Sequence, residues 1–169
     1  MKTTGRHSRG EYAVEGGDVA SVLAGLGEDD FVVTDTNVRS ALGLKRDCIA
    51  VAPGEESKSL SVYGEVLDWL TQRAHRSCRV VALGGGVVGD LAGFAAATFM
   101  RGVRLLQVPT SLMAMVDSSV GGKVGIDLPS GKNLAGAFWP PERVLVPIDA
   151  LKTLSERQFA NGLFNVLSC

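Results

Sequence analysis

The sequence is poor in cysteine, histidine and aromatic residues, and it has no excess of either charge. Its three cysteines, Cys48, Cys78 and Cys169, are odd in number and far apart, which argues against a disulfide framework and a zinc ribbon and favours a reducing cytoplasm. There are 17 basic and 18 acidic residues, and the net charge is -1. This balance predicts no attraction to nucleic acid or to a membrane surface, so the expected partners are small molecules.

Long hydrophobic runs are also absent. The longest, residues 91–100, is about half the length that a bilayer-spanning helix needs. Residues 1–9 include basic residues but lack the apolar stretch of a secretory signal. We therefore expect a cytoplasmic protein, and the length of 169 residues predicts a single domain, 1–169, with a sizeable core.

Short β-branched runs alternate with longer stretches of helical periodicity. Strands are predicted at 31–34, 48–52, 79–83, 104–108 and 143–146. Apolar residues at helical spacing predict a helix from Leu60 to Ala74, and Ser155 with Gln158 has the spacing of a capping box. The alternation predicts an α/β fold, Rossmann-like, whose mainly parallel sheet carries helices on both faces. The Gly-rich stretch 120–136 is interpreted as a β-hairpin or an extended loop.

In a sheet of this kind, ligands bind beyond the carboxyl ends of the strands. The loops that follow predicted strands are 34–37, 53–58, 84–90 and 109–111. We expect the chemistry of the protein to lie among these four loops.

The predicted strand 79–83 runs directly into a glycine loop, 84–89, which fits the pattern Gly-x-Gly-x-x-Gly. Glycines allow positive φ angles and close approach to a pyrophosphate, and the following helix would point free N–H groups at the anion. The alternative is a tight turn that needs glycine only for packing. The acidic residue that an ordinary dehydrogenase site carries on the next strand is absent from 104–108, so ribose contacts must come from elsewhere. Loop 34–37 is a candidate, although its Asp35 or Asn37 could equally cap a helix.

Two lysines and an amide, Lys123, Lys132 and Asn133, stand among glycines in the stretch 120–136. Ammonium groups on such a loop can converge on phosphate or carboxylate, and an amide can donate to an oxygen, so an acidic sugar-like ligand would suit them. The alternative is that the lysines are solvated.

Several motifs occur in an order that resembles 3-dehydroquinate synthase. They are Pro53-Gly54-Glu55 with Lys58, Gly84-Gly85-Gly86-Val87-Val88-Gly89-Asp90-Leu91-Ala92-Gly93-Phe94, Arg101-Gly102-Val103, Gln107-Val108-Pro109-Thr110-Ser111, the stretch 117–123, and Gly131-Lys132-Asn133. The resemblance implies a lyase that converts DAHP, a seven-carbon keto sugar acid phosphate, to 3-dehydroquinate in the shikimate pathway of aromatic amino acid biosynthesis. It also implies NAD, which is used and regenerated within one cycle.

Site residues follow from the same resemblance. It implies NAD contacts from Asp35, Asn37, Glu55, Lys58, Gly86, Val87, Val88, Gly89, Asp90, Thr110, Ser111, Lys132, Leu151, Lys152 and Thr153. It implies substrate contacts from Asp117, Lys123, Lys132 and Asn133. Arg101 would reach the substrate phosphate of a neighbouring subunit, which implies a homodimer. The alternatives are that Arg101 is a cation at a helix C-terminus and that Asp117 is a local hydrogen-bond acceptor.

The resemblance breaks near the end of the sequence. After Asn-Gly-Leu the family continues with Ala-Glu-Val-Ile-Lys, whose Glu is one of three zinc ligands and whose Lys lies in the active site. Here Asn165 stands at the ligand position and Ser168 at that of the lysine. The two histidine ligands belong to a helical domain that follows in the family, and His7 and His75 are interpreted as surface residues. We therefore expect no metal site within this chain and no turnover by the chain alone.

Other functions share some of these features. A non-catalytic NAD-binding module would keep the glycine loop and bind NAD without turnover. A polyol dehydrogenase would share the glycine loop and the two-domain architecture, and a related sugar-phosphate cyclase would share more. The combination of residues 118–123 with Gly131-Lys132-Asn133 favours 3-dehydroquinate synthase over these relatives.

Overall fold

The computed structural model describes residues 2–7 and 10–167, except for the side chains of residues 7, 10 and 165–167. Its strands are β1 (Lys2–His7), β2 (Gly10–Gly17), β3 (Asp30–Asp35), β4 (Cys48–Val51), β5 (Arg79–Gly84), β6 (Arg104–Pro109), β7 (Lys123–Leu128), β8 (Gly131–Phe138) and β9 (Arg143–Pro147). Its α-helices are α1 (Val19–Ala24), α2 (Thr36–Ala41), α3 (Leu60–Thr71), α4 (Gly86–Thr98) and α5 (Glu156–Leu167). Short 3-10 segments occupy Glu55–Ser57, Phe99–Arg101 and Ile148–Thr153, and a single π-turn occupies Ala114–Ser118.

Seven strands form one sheet in the order β1-β2-β9-β6-β5-β3-β4. Every neighbouring pair from β2 to β4 is parallel, and only β1 pairs antiparallel, with β2. The structure confirms the predicted α/β class and all five predicted strands, which become β3, β4, β5, β6 and β9. The order in which strands are added to the sheet reverses at β3, because β4 lies on one side of β3 and β5 lies on the other. That switch point is where a doubly wound sheet opens a crevice for ligands.

The Gly-rich stretch forms a separate antiparallel hairpin, β7 with β8, as the sequence predicted. The hairpin packs on α4. A Cβ atom on Gly93 would overlap the side chain of Val124, so the helix and hairpin can approach this closely only because the helix carries glycine there. The hairpin is thereby held against the middle of α4.

Helices cover both faces of the sheet, as predicted. On β3, Val33 faces a core shared with α3 and α4, while Val32 faces a second core shared with α1 and α2. Val80 and Val81 of β5 divide in the same way. All four valines are fully buried, and strands buried on both faces give continuous apolar runs, which is why these strands could be recognised from sequence. Among the described residues, no helix is both long and apolar enough to cross a bilayer.

Side chains cap most of the described helices at their N-termini. Asp18, Asp35 and Ser59 cap α1, α2 and α3, each accepting from a backbone N–H three residues later. The predicted capping box precedes α5, where the Gln158 N–H donates to Ser155 Oγ at 3.3 Å and the Ser155 N–H donates to Gln158 Oε1 at 3.0 Å. Capping satisfies N–H groups that have no partner within the helix.

The described cysteines are free thiols. Burial raises the pKa of both Cys48 and Cys78, which keeps them protonated at neutral pH. Cys169 lies outside the described residues. Both described thiols are therefore weak nucleophiles.

Candidate functional site

A cavity of about 430 Å³ lies at the carboxyl edge of the sheet, where the chain reverses direction around β3; we call it the sheet-edge cavity. All four loops that the sequence analysis selected contribute to its wall. The lining residues that were predicted as NAD contacts are Asp35, Asn37, Gly86, Val87, Val88, Thr110, Ser111 and Thr153. The topology thus brings together residues that are more than a hundred positions apart in sequence.

The N-terminus of α4 opens into this cavity without a side-chain cap. Its N-cap residue is Gly85, which has no side chain to satisfy the first N–H groups of the helix, whereas α1, α2 and α3 are all capped. Exposed N–H groups and the positive end of the helix dipole make such a terminus suited to an anion. The cavity is therefore built to receive a negatively charged group at this point.

The glycine loop 84–89 does not contain the positive φ angles that its sequence suggested. Gly85 has a φ of -76°, and no glycine of the loop is among the residues with positive φ. Close packing explains the glycines instead. A Cβ atom on Gly84 would stand 2.7 Å from the side chain of Val88, and one on Gly86 would stand 3.0 Å from Ser118 Oγ.

Asp35 has two roles at once. Its Oδ1 accepts from the Val38 N–H at 2.9 Å, so it caps α2 as one of the two sequence interpretations held. It is also buried, 9% exposed, and lines the sheet-edge cavity. The capping interpretation is therefore confirmed.

A second cavity, of about 570 Å³, lies between α4 and the β7–β8 hairpin; we call it the hairpin cavity. Asp117, Lys123 and Asn133, all predicted to contact substrate, line it together with Asp90. Lys132 lines neither cavity. Its Nζ lies 3.4 Å from Glu55 Oε1, and its side chain is 72% exposed.

A polar cluster surrounds Asp90 of α4 beside the hairpin cavity. The buried Lys58 Nζ donates to Asp90 Oδ2 at 2.7 Å and to Asn133 Oδ1, and it lies 3.9 Å from Glu55 Oε1. Burial raises the pKa of the Asp90 carboxyl, Lys58 opposes the rise, and the Glu55 and Asp127 carboxylates add to it. The Lys58 contact therefore favours the ionised form of Asp90, against the effects of burial and of the two neighbouring carboxylates.

The remaining predicted residues lie outside the two cavities. Gly89 is buried in α4, where its carbonyl accepts from Gln107 Nε2 at 3.2 Å. Leu151 and Lys152 lie in the 3-10 segment that leads to Thr153. Arg101 is exposed and has a left-handed φ of 66°. These residues belong to the elements that shape the site but do not line the cavities themselves.

The start of α5 also lines the sheet-edge cavity, which the sequence analysis did not predict. Leu154, Ser155 and Gln158 form that part of the wall. The capping box identified Ser155 and Gln158 as a helix start but carried no signal that this start faces a ligand. Only the fold brings it beside Thr110 and Gly86.

The structure describes only part of the residues that the sequence analysis considered in place of the family's metal ligands and active-site lysine. The side chain of Asn165 and all of Ser168 lie outside the described part of the chain, as does the side chain of His7. His75 is exposed and its Nε2 lies 2.8 Å from Asp29 Oδ1, which confirms it as a surface residue. Within residues 2–7 and 10–167, no group of three or more His, Cys, Asp or Glu side chains could hold a metal ion.

Comparisons with known proteins agree with this architecture. The family model described as 3-dehydroquinate synthase N-terminal matches residues 48–161. The Pentafunctional AROM polypeptide of Schizosaccharomyces japonicus (strain yFS275 / FY16936) is 49% identical over 154 residues, which covers 80% of this chain and 10% of that protein.

Solved structures show the same similarity. A 2-deoxy-scyllo-inosose synthase complexed with carbaglucose-6-phosphate, NAD+ and Co2+ is 26% identical with a TM-score of 0.84 over 99% of this chain and 50% of that one. ValA, the 2-epi-5-epi-valiolone synthase of Streptomyces hygroscopicus subsp. jinggangensis 5008 with NAD+ and Zn2+ bound, is 26% identical with a TM-score of 0.83, again over 99% of this chain and 50% of that one. An iron containing alcohol dehydrogenase, at 15% identity and a TM-score of 0.69 over 89% of this chain and 50% of that one, shares the fold.

The chain spans about half the length of these structures and a tenth of the AROM polypeptide. The match to the family model covers most of the chain and includes the glycine loop, the π-turn and the hairpin. The chain therefore belongs to the 3-dehydroquinate synthase family and corresponds to its N-terminal part.

Proposed function

We propose that this chain is the NAD-binding domain of a 3-dehydroquinate synthase, which converts DAHP to 3-dehydroquinate and phosphate. The sheet-edge cavity would hold NAD, and the hairpin cavity would hold the sugar acid phosphate. The observation that carries the proposal is the uncapped N-terminus of α4, which opens into the sheet-edge cavity while α1, α2 and α3 are capped. A dinucleotide pyrophosphate is an anion of the kind that such a terminus binds.

The rest of the sheet-edge cavity fits a dinucleotide. Asp35 and Asn37 offer polar atoms for ribose hydroxyls, and the hydroxyls of Thr110 and Ser111 can donate to phosphate oxygens. Gly85 and Gly86 line this cavity and carry no side chain, so a pyrophosphate can approach their backbone. The NAD+ bound in the two synthase structures supports the same assignment.

The hairpin cavity fits an anionic polyhydroxy ligand. The Lys123 ammonium can pair with a phosphate or carboxylate, the Asn133 amide can donate to an oxygen, and the Asp117 carboxylate can accept from a hydroxyl. NAD supplies a reversible hydride acceptor when it is bound. The residues of this chain would hold the sugar acid so that a ring hydroxyl faces the cofactor, because Gly86 of the sheet-edge cavity lies close to Ser118 of the hairpin cavity.

The divalent metal that the resemblance implies does not fit the residues described for this chain, because no suitable cluster of ligands occurs within residues 2–7 and 10–167. The two synthase structures contain Co2+ or Zn2+. We expect residues outside this range to supply any metal site, and we expect no turnover by this domain alone.

We further infer a homodimer and a cytoplasmic location. Arg101 is exposed and lines neither cavity, which is consistent with a guanidinium that reaches the phosphate site of a second subunit. The free thiols Cys48 and Cys78 are consistent with a reducing compartment. Sedimentation equilibrium would test the dimer. The measurement should be made on a version of the protein that includes the C-terminal part found in the family, and a purely monomeric result would contradict the inference.

Calorimetric titration of the purified chain tests the proposed function directly. We expect NAD to bind, and we expect 6-phosphogluconate, a sugar acid phosphate, to bind separately. A well-folded chain that takes up no NAD at millimolar concentration would overturn the assignment of the sheet-edge cavity. Binding of NAD without 6-phosphogluconate would overturn only that of the hairpin cavity.

Replacing Lys123 with alanine is expected to weaken 6-phosphogluconate binding by roughly 10- to 100-fold, since a charge-assisted hydrogen bond contributes about 1.5–3 kcal/mol. The NAD affinity should change by less than about 2-fold, because Lys123 lines only the hairpin cavity. Both affinities are measured by calorimetry. The matched control is Lys45→Ala, which removes an exposed lysine far from both cavities. An equal loss of both ligands in Lys123→Ala would contradict the placement of Lys123.

A further inference from the structure

Lys58 is almost completely buried, with its side chain 5% exposed. Its ammonium nitrogen faces three oxygens, from Asp90 of α4, Asn133 of β8 and Glu55 of the preceding 3-10 segment. An ammonium has three N–H donors and no acceptor. Two of the donors bond to Asp90 and Asn133, whereas Glu55 Oε1, at 3.9 Å, is an ion-pair neighbour and not a hydrogen-bond acceptor. Two of the three partners, Asp90 and Asn133, line the hairpin cavity.

This contact determines how the Asn133 amide is oriented. An amide has an acceptor oxygen and a donor nitrogen that are nearly interchangeable in shape, and neighbouring groups decide which one faces where. Because the Lys58 ammonium can only donate, it must face Oδ1 of Asn133. The Nδ2 group then faces away from the ammonium, and Asn133 lines the hairpin cavity.

The backbone of Asn133 is held as firmly as its side chain. Its φ of 56° is left-handed, which Asn tolerates better than most residues, and its N–H donates to Asp127 Oδ1 at 2.7 Å. The Asp127 N–H in turn donates to the carbonyl of Lys58 at 2.7 Å. Lys58 and Asn133 are therefore linked through both the side chains and the main chain.

We propose that Lys58 is a positioning residue, whose ammonium fixes the Asn133 amide so that Nδ2 donates to an oxygen of the anionic sugar ligand in the hairpin cavity. This proposal rests on the proposed function, because it takes the hairpin cavity to be the substrate site. It differs from the direct NAD contact that the family resemblance implies for Lys58. The Lys58 Nζ is directed at residues of the hairpin cavity, and Lys58 does not line the sheet-edge cavity.

The first test replaces Lys58 with methionine, which keeps an unbranched apolar chain and removes the donor. We expect 6-phosphogluconate to bind at least about 10-fold more weakly, the NAD affinity to change by less than about 3-fold, and Lys58→Arg to recover most of the lost affinity. Lys45→Met is the matched control and should bind both ligands as the unmodified chain does. A parallel loss of NAD and 6-phosphogluconate binding in Lys58→Met would show that Lys58 contacts NAD directly or has a purely structural role, and either result would overturn the proposal.

The second test asks whether Lys58 acts through Asn133. Asn133→Gly removes the amide and suits the left-handed backbone. If Lys58 works by orienting this amide, Lys58→Met and Asn133→Gly should each weaken 6-phosphogluconate binding about 10-fold, and the double variant should show about the same loss rather than about 100-fold. Multiplicative losses would mean that the two residues act independently, which the proposal does not permit.

A measurement without ligand separates this proposal from the proposed function. The side-chain amide signals of Asn133, assigned by their loss in Asn133→Gly, should shift in the NMR spectrum of ligand-free Lys58→Met. If Lys58→Met does not fold, the same contact can be tested from the other side: the NMR signal of the Lys58 ammonium should shift in Asn133→Gly relative to the unmodified chain. If these signals do not change, the positioning role of Lys58 is overturned while the proposed function still stands. Failure of the unmodified chain to bind 6-phosphogluconate overturns the substrate assignment and, with it, the role of Lys58 in presenting a donor.

Discussion

Replacing Gly86 with valine is expected to reduce the affinity for NAD at least about 100-fold, to the point where calorimetry detects no binding. Gly86 is the first residue of α4 and lines the sheet-edge cavity. A Cβ atom there would stand 3.0 Å from Ser118 Oγ, which is already tight, and the valine methyls would occupy space that a pyrophosphate needs to reach the helix N–H groups. A pyrophosphate held away from these donors loses several charge-assisted hydrogen bonds at once.

The φ angle of Gly86 is not positive, so its backbone can carry a side chain. Because a Cβ atom there would crowd Ser118, circular dichroism must first show that the variant folds as the unmodified chain does. Gly64→Val is the matched control, because a Cβ atom on Gly64, in α3, would meet nothing within 4 Å. We expect Gly64→Val to keep its NAD affinity. A folded Gly86→Val protein that binds NAD as tightly as the Gly64→Val control would refute the placement of the pyrophosphate.

Much of the fold can be predicted from the sequence because the central strands are buried on both faces. Such strands appear as short apolar runs bounded by turn residues, as in β3 and β5. The N-terminal strands carry no such run. Strand β1 pairs only with β2, and β2 joins the sheet beside β9, which lies near the other end of the chain. The β1–β2 pairing is local, but β2 is held in the sheet by its long-range pairing with β9, which no local pattern reveals.

The candidate site was predictable to a similar extent. Strand ends of a parallel sheet meet at one edge, so the loops that follow them could be selected from the sequence, and they do surround one cavity. The environment of Lys58 could not be foreseen. Its partners Asp90 and Asn133 lie 32 and 75 positions away, and a lysine in a Glu-rich loop is usually solvated. Burial of its side chain follows only once the hairpin has packed on α4.

The ion pair between Asp30 and Arg79 lies at the opposite end of the sheet from the sheet-edge cavity, and breaking it is expected to have the largest effect on stability. Asp30→Asn should lower the free energy of unfolding by about 3 kcal/mol at pH 7, because the charge of Arg79 is then left with only the more distant carboxylate of Glu142, 3.8 Å away. Asp30 accepts from Arg79 Nε at 2.7 Å and from Nη2 at 2.8 Å, and the two side chains are only 6% and 16% exposed. The pair joins the starts of neighbouring strands β3 and β5. Urea unfolding followed by circular dichroism measures the loss.

Asp29→Asn is the matched control, since the same change one residue earlier affects only an exposed contact with His75 and should cost less than about 0.5 kcal/mol. The pH dependence gives a second criterion. Burial alone would raise the pKa of Asp30, but the Arg79 and Gly27 hydrogen bonds outweigh it and lower the pKa below the ordinary value of 3.8. The stabilisation is therefore fully present above that value and is lost as the pH falls through the lower pKa of the folded state. The difference in unfolding free energy between the unmodified chain and Asp30→Asn should narrow below pH 4. If that difference stays constant with pH, or if Asp29→Asn shows the same difference, the charge of Asp30 is not the source of the stabilisation.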